Sequence, residues 1–139
     1  MSAIFRPEPL PIRSVAFAIP GHAIGYYTRG AKPNWTRMKE YHAYKLTVQE
    51  YASRAGIDLP VTAVETVPVI VTTQLYSRNR VHHDPENVHK GIVDALFYGA
   101  KGGDKHVGGR FDPAIYDGRE EVRVTVEWRP KAVRSPSSA

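Results

Sequence analysis

The chain has 139 residues, 42% of them hydrophobic, with 19 Lys and Arg against 14 Asp and Glu for a formal net charge of +5. That length suits one domain with a proper core and is short for two, and the composition is globular rather than disordered. No cysteine occurs, which excludes disulfides, thiolate zinc sites and a cysteine nucleophile.

Residues 1–13 carry three prolines and read as an extended arm. SVAFAI, 14–19, is a strand closed by Pro20-Gly21. GHAIGYYTRGAKP, 21–33, reads as a surface loop with two tyrosines. Asn34 then caps a helix in which Trp35, Met38, Tyr41, Lys45, Val48 and Ala52 fall on spacings of three and four, stopped by Gly56. TVPVIVTTQLY, 66–76, alternates and is β-branched, so it is a second long strand, with Pro68 tolerated near its start. After SRNRVHH, Asp84 is an N-cap and Pro85 the first residue of a helix running to about Tyr98.

GAKGGDKHVGG, 99–109, is a glycine-rich loop holding Asp104. Arg110–Tyr116, interrupted by Pro113, is a short irregular strand. Asp117-Gly118 is a hairpin turn into the final strand EEVRVTVEW, 120–128. The tail from residue 130 to 139 reads as disordered. The expectation is an α+β fold: a small mixed β-sheet with two main helices packed on it, in one domain spanning 14–129. The apolar runs are far too short to span a bilayer, and the N-terminus lacks a signal-peptide core. A cytoplasmic protein is expected, with no membrane partner and no organic cofactor. The sequence pI of about 9.6 biases it toward polyanions such as nucleic acid.

The stretch VHHDPENVHKGIVDAL, 81–96, admits two readings. Asp-Pro-Glu opens many helices, because Asp caps free N–H groups and Glu complements the dipole, and Glu86–Lys90 and Lys90–Asp94 are ordinary i,i+4 pairs. The helical wheel, at ~100° per residue, adds a sharper reading. It puts Val88, Ile92, Ala95 and Leu96 on one face, for the sheet, and Glu86, Asn87, Lys90 and Asp94 on the other. Asp84, Glu86 and Asp104 would then converge near Lys90 at the helix N-terminus. Such an oxygen-donor set suits Mg²⁺ held against a phosphodiester, with Lys90 steadying developing charge. His82, His83, His89 and His106 lack zinc-ligand spacing and read as solvated or phosphate-contacting.

Asp84-Pro85-Glu86-Asn87, Lys90, Asp94-Ala95-Leu96 and then Asp104 with Val107 resemble the signature of the RusA family of Holliday junction resolvases. FAIPG, GYYTRG and the helix with AYK resemble that family's first strand, loop and helix, so the likeness covers roughly residues 14–128. It implies a homodimeric endonuclease that uses Mg²⁺, with Mn²⁺ as a substitute, to cut four-way branched DNA in recombination and repair, as in phages and prophages. Asp84, Glu86 and Asp104 would be the metal-binding carboxylates, Lys90 the essential lysine, and Asp94 a further acid of structural character. The cuts would leave 5′-phosphate and 3′-hydroxyl ends. The chain departs from the pattern at Glu86, where Asp is usual, at Gly103, where a second acid often stands, and in SRNRVHH, which is poorer in arginine.

Arg78, Arg80, His82, His83, Lys101, Lys105 and Arg110 are the candidate DNA contacts, each with an alternative as a solvated surface charge. Tyr26, Tyr27 and Arg29 either touch DNA or decorate a turn. Two rivals stand beside the resolvase: a non-catalytic branched-DNA-binding protein on the same scaffold, and a nuclease for flaps or other branches.

Overall fold

A computed structural model describes residues 13–27, 32–78, 84–100 and 105–130. The elements in chain order are β1 Arg13–Pro20, α1 Trp35–Arg54, β2 Val69–Tyr76, α2 Pro85–Phe97, β3 Val107–Phe111 and β4 Glu121–Trp128. The strands form one sheet in the order β1-β4-β2-β3. β4 is antiparallel to both β1 and β2, while β2 and β3 run parallel. Among the described residues the fold is therefore α+β, an open mixed sheet of four strands with two helices.

Side chains alternate across a strand, so one face of the sheet can be buried. β2 buries Val69, Val71, Thr73 and Leu75, and β4 buries Val122, Val124 and Val126. Register aligns them in rows, with Val15 opposite Val126 and Val126 opposite Val71. Both helices pack on this face; α2 meets it with Val88, Ile92, Ala95 and Leu96, as the helical wheel requires. The opposite face carries Ala16, Thr125, Thr72 and Arg110 in one row. No helix among the described residues is long and apolar enough to cross a membrane.

The Asn34 side chain caps α1 by accepting from the Arg37 N–H at 3.1 Å. Tyr41, Lys45, Val48 and Ala52 are buried as their spacing predicts, together with Tyr44. Trp35, placed on the same face by the sequence, is instead 58% exposed. It is the first residue of α1, and the buried face begins only at Tyr41.

The expected hairpin does not form. β3 starts at Val107, inside the segment read as a glycine-rich loop, and pairs in parallel with β2 on the side away from β4. A parallel pair needs a crossover, and α2 supplies it. Residues 112–120 then carry the chain past the end of β2, where Ile115 bridges Tyr76, before β4 returns on the other side. Two boundaries also move. Arg13, assigned to the arm, opens β1 opposite Trp128 with its guanidinium 4.7 Å from the indole centroid. β2 begins at Val69 rather than Thr66, because Val64 and Val67 close a local turn first.

Candidate functional site

α2 follows β2 in the chain, and its His89 lies 2.9 Å from Thr73 of that strand. Asp84 caps the helix. One carboxylate oxygen accepts from the N–H groups of Glu86, at 3.0 Å, and Asn87, at 3.4 Å. These two helix-end donors are thereby engaged by the cap rather than offered to an anion. A carboxylate has about four acceptor positions, so the second oxygen of Asp84 keeps lone pairs for a cation. Glu86 and Lys90 face solvent together, 4.0 Å apart, with side chains 58% and 60% exposed. An ion pair that exposed adds little stability, which leaves both groups available to a ligand.

Asp84 and Glu86 thus supply hard oxygen donors of the kind Mg²⁺ takes. Asp104, the third carboxylate named from the sequence, lies outside the described residues, as do Arg80, His82, His83 and Lys101. Among the described residues no three acidic or histidine side chains gather into a metal site. Val107, three residues beyond Asp104, lines the same cavity as Lys90. That cavity, of about 570 Å³, runs along α2 past Lys90, Val93, Asp94 and Phe97 and is floored by Val107 and Gly109 of β3.

The other named cations are dispersed. Arg78 is exposed just after β2, and Lys105 is exposed at the entry to β3, where the sheet holds the start of β2 rather than its end. Arg110 pairs with Thr72, on the sheet face opposite α2, and sits 3.5 Å from Asp112. The structure therefore does not bring Arg110 to Lys90.

Asp94 and Asn87 do not present themselves to solvent with Glu86 and Lys90, as the helical wheel implied. Asp94 turns toward α1, where its Oδ2 takes the Lys45 ammonium at 2.8 Å and the Tyr41 hydroxyl. Desolvation raises the Asp94 pKa, but the hydrogen bonds from Lys45 and Tyr41 outweigh it and hold the carboxyl below its usual range. Burial, reinforced by Asp94, pushes the Tyr41 hydroxyl up. Lys45, only 9% exposed, lies between the rings of Tyr41 and Tyr98, 5.1 and 4.6 Å from their centroids. Tyr98 is 65% exposed in the single chain, whereas Phe97 is buried.

Asn87 clasps the tyrosine loop to α2. Its Nδ2 donates to the Tyr26 carbonyl at 3.1 Å, and its own carbonyl accepts from the Tyr26 N–H at 3.1 Å. A Cβ on Gly25 would overlap the Asn87 amide, so glycine is required for this approach. Asn87 thus has a positioning role, and its place in the sequence between Glu86 and Lys90 is the signal for it.

His89, expected to be solvated or phosphate-contacting, is buried instead. One position past Val88, it belongs to the face that meets the sheet. Its Nδ1 lies 2.9 Å from Thr73 Oγ1, and its ring sits tilted against Phe111 with centroids 5.7 Å apart. Gly109 makes room for it, since a Cβ there would strike Nε2. Burial lowers the His89 pKa, so the unfolded chain binds this proton more readily than the folded one. Stability is expected to be full above the ordinary histidine range and to fall as the pH drops through it. Thermal unfolding across pH 5–8 checks this: His89→Gln, which stays neutral, should flatten the slope, and an unchanged slope would contradict it.

A second cavity, of about 420 Å³, shares Tyr26 and Asp94 with the first and is also lined by Tyr27, Trp35 and Tyr41. No family model and no curated protein matches the chain.

Proposed function

We propose that the protein is a Mg²⁺-dependent endodeoxyribonuclease that resolves four-way DNA junctions by paired phosphodiester hydrolysis, acting as a homodimer in recombination or repair. The observation that carries this reading is the grouping of Asp84, Glu86 and Lys90 on the exposed first turns of α2, beside the cavity lined by Lys90 and Asp94. The motif resemblance to the RusA resolvases supplies the substrate class. A two-fold dimer with one site per protomer suits a junction with two equivalent strands to cut.

In this mechanism Asp84 and Glu86, with Asp104, would hold Mg²⁺. When bound, the ion supplies polarisation of the phosphodiester and a water acidic enough to attack it at neutral pH. Asp84 offers its second oxygen while the first keeps the helix start in place. Lys90, 4.0 Å from Glu86, would set its positive charge against the negative charge that grows on the phosphate. Lys45 and Tyr41 satisfy Asp94, which neutralises an acid that would otherwise repel the strand.

Lys90→Ala provides the test. Junction cleavage in Mg²⁺ is expected to fall by roughly a hundredfold or more, while junction binding drops by no more than a few fold, since one phosphate contact among several is lost. Cleavage that survives Lys90→Ala unchanged would remove Lys90 from the mechanism.

A further inference from the structure

The second cavity is built differently from the first. It is lined by Tyr26, Tyr27, Trp35 and Tyr41, of which Tyr41 is only 4% exposed. Tyr26 is clasped by Asn87 and meets Tyr41 edge-on with centroids 5.4 Å apart. The Tyr27 hydroxyl accepts from the Asn34 N–H at 2.5 Å, at the cap of α1. Trp35, on the first turn of that helix, keeps 58% of its surface exposed. It therefore presents an indole ring to the lining of this cleft.

Charge says what such a cleft takes. Its one carboxylate, Asp94, is already matched by Lys45 and Tyr41, so the interior does not repel an anion. Arg37 stands over the Tyr27 ring at 5.7 Å on one side. Lys90 lies on the other, across the shared wall of Tyr26 and Asp94. Aromatic faces flanked by cations suit a ligand that is flat and apolar in its body and anionic at its edges. A nucleotide in a single strand is such a ligand, because every base has a π-face and every linkage a phosphate.

We infer that the cleft between the tyrosine loop and α1 binds an unstacked nucleobase of the DNA strand whose phosphates pass Lys90. The inference rests on the DNA-binding part of the proposed function and adds a base-holding subsite beside the scissile position. An unpaired base at a branch point is its natural occupant, since a paired base would have to leave its stack at a cost of a few kcal/mol.

The test uses the full chain in EDTA, so that cleavage plays no part. With Trp128→Phe as background, Trp35 is the remaining tryptophan, and its fluorescence is followed on adding oligothymidylate or an abasic strand of equal length. Oligothymidylate should quench Trp35 and the abasic strand should not. By anisotropy of labelled strands, Trp35→Ala and Tyr26→Ala should each weaken oligothymidylate binding by roughly 5- to 150-fold, the range expected for one base–aromatic stack. Abasic binding should be unchanged in both. Equal quenching and equal affinity for the two strands would overturn the inference and leave a phosphate contact only. Because no metal is present, that outcome says nothing against the nuclease, and a nuclease failure would leave a positive stacking result standing.

Discussion

Asp84→Asn is expected to lower Mg²⁺-dependent junction cleavage by at least about a hundredfold while leaving stability within about 1 kcal/mol of wild type. Groups that merely orient metal ligands cost 10- to 100-fold when removed, so loss of a ligand oxygen should cost no less. Stability is spared for a separate reason. Asp84 caps α2 through one oxygen, to the N–H groups of Glu86 and Asn87, and Asn caps a helix about as well as Asp. Asp84→Ala would confound the two effects, because it removes the cap as well as the charge. Parallel cleavage and thermal-unfolding measurements on both variants separate them. A large loss of stability in Asp84→Asn, or cleavage at the wild-type rate, would contradict this account of Asp84.

The second large effect falls on the Lys45–Asp94 pair. Asp94→Asn leaves Lys45, 9% exposed and set between two tyrosine rings, without its counter-charge. Breaking a wholly buried pair from one side costs roughly 3–5 kcal/mol. The Asp94 side chain keeps 36% of its surface exposed, so solvent screening reduces the expected loss to about 2 kcal/mol. For a domain of this size that is roughly 6–8 °C in Tm. Adding Lys45→Met to Asp94→Asn should recover part of the loss, since the stranded charge is then gone. Thermal unfolding of the two single variants and the double variant completes the cycle. Simple additivity would show that the two side chains do not depend on each other.

Local signals made much of this fold legible. Asp84, Pro85 and the apolar set Val88, Ile92, Ala95 and Leu96 placed α2 because caps and helical period act within a few residues of chain. The alternation of Val122, Val124 and Val126 placed β4 in the same way. β3 escaped because Gly108 and Gly109 carry no alternating pattern, and its partner β2 lies on the far side of a crossover helix. Gly109 makes sense only once His89 is seen to need its space.

The candidate site shows the same division. A helical wheel tells which residues share a face and nothing about what covers it. Glu86 and Lys90 are exposed as read. Asp94, grouped with them, is turned to Lys45 and Tyr41 on another helix. The clasp of Asn87 on Tyr26 joins segments distant in the chain, and that contact arises from packing alone.

The most direct test of the central claim is to incubate the wild-type protein with a synthetic four-way junction in Mg²⁺, following binding and mapping the nicks in the same samples. Paired nicks at symmetric positions in two opposed strands, absent in EDTA, are the predicted result. Tight binding with no cutting in either Mg²⁺ or Mn²⁺ would contradict it and make the protein a branched-DNA-binding relative without nuclease activity.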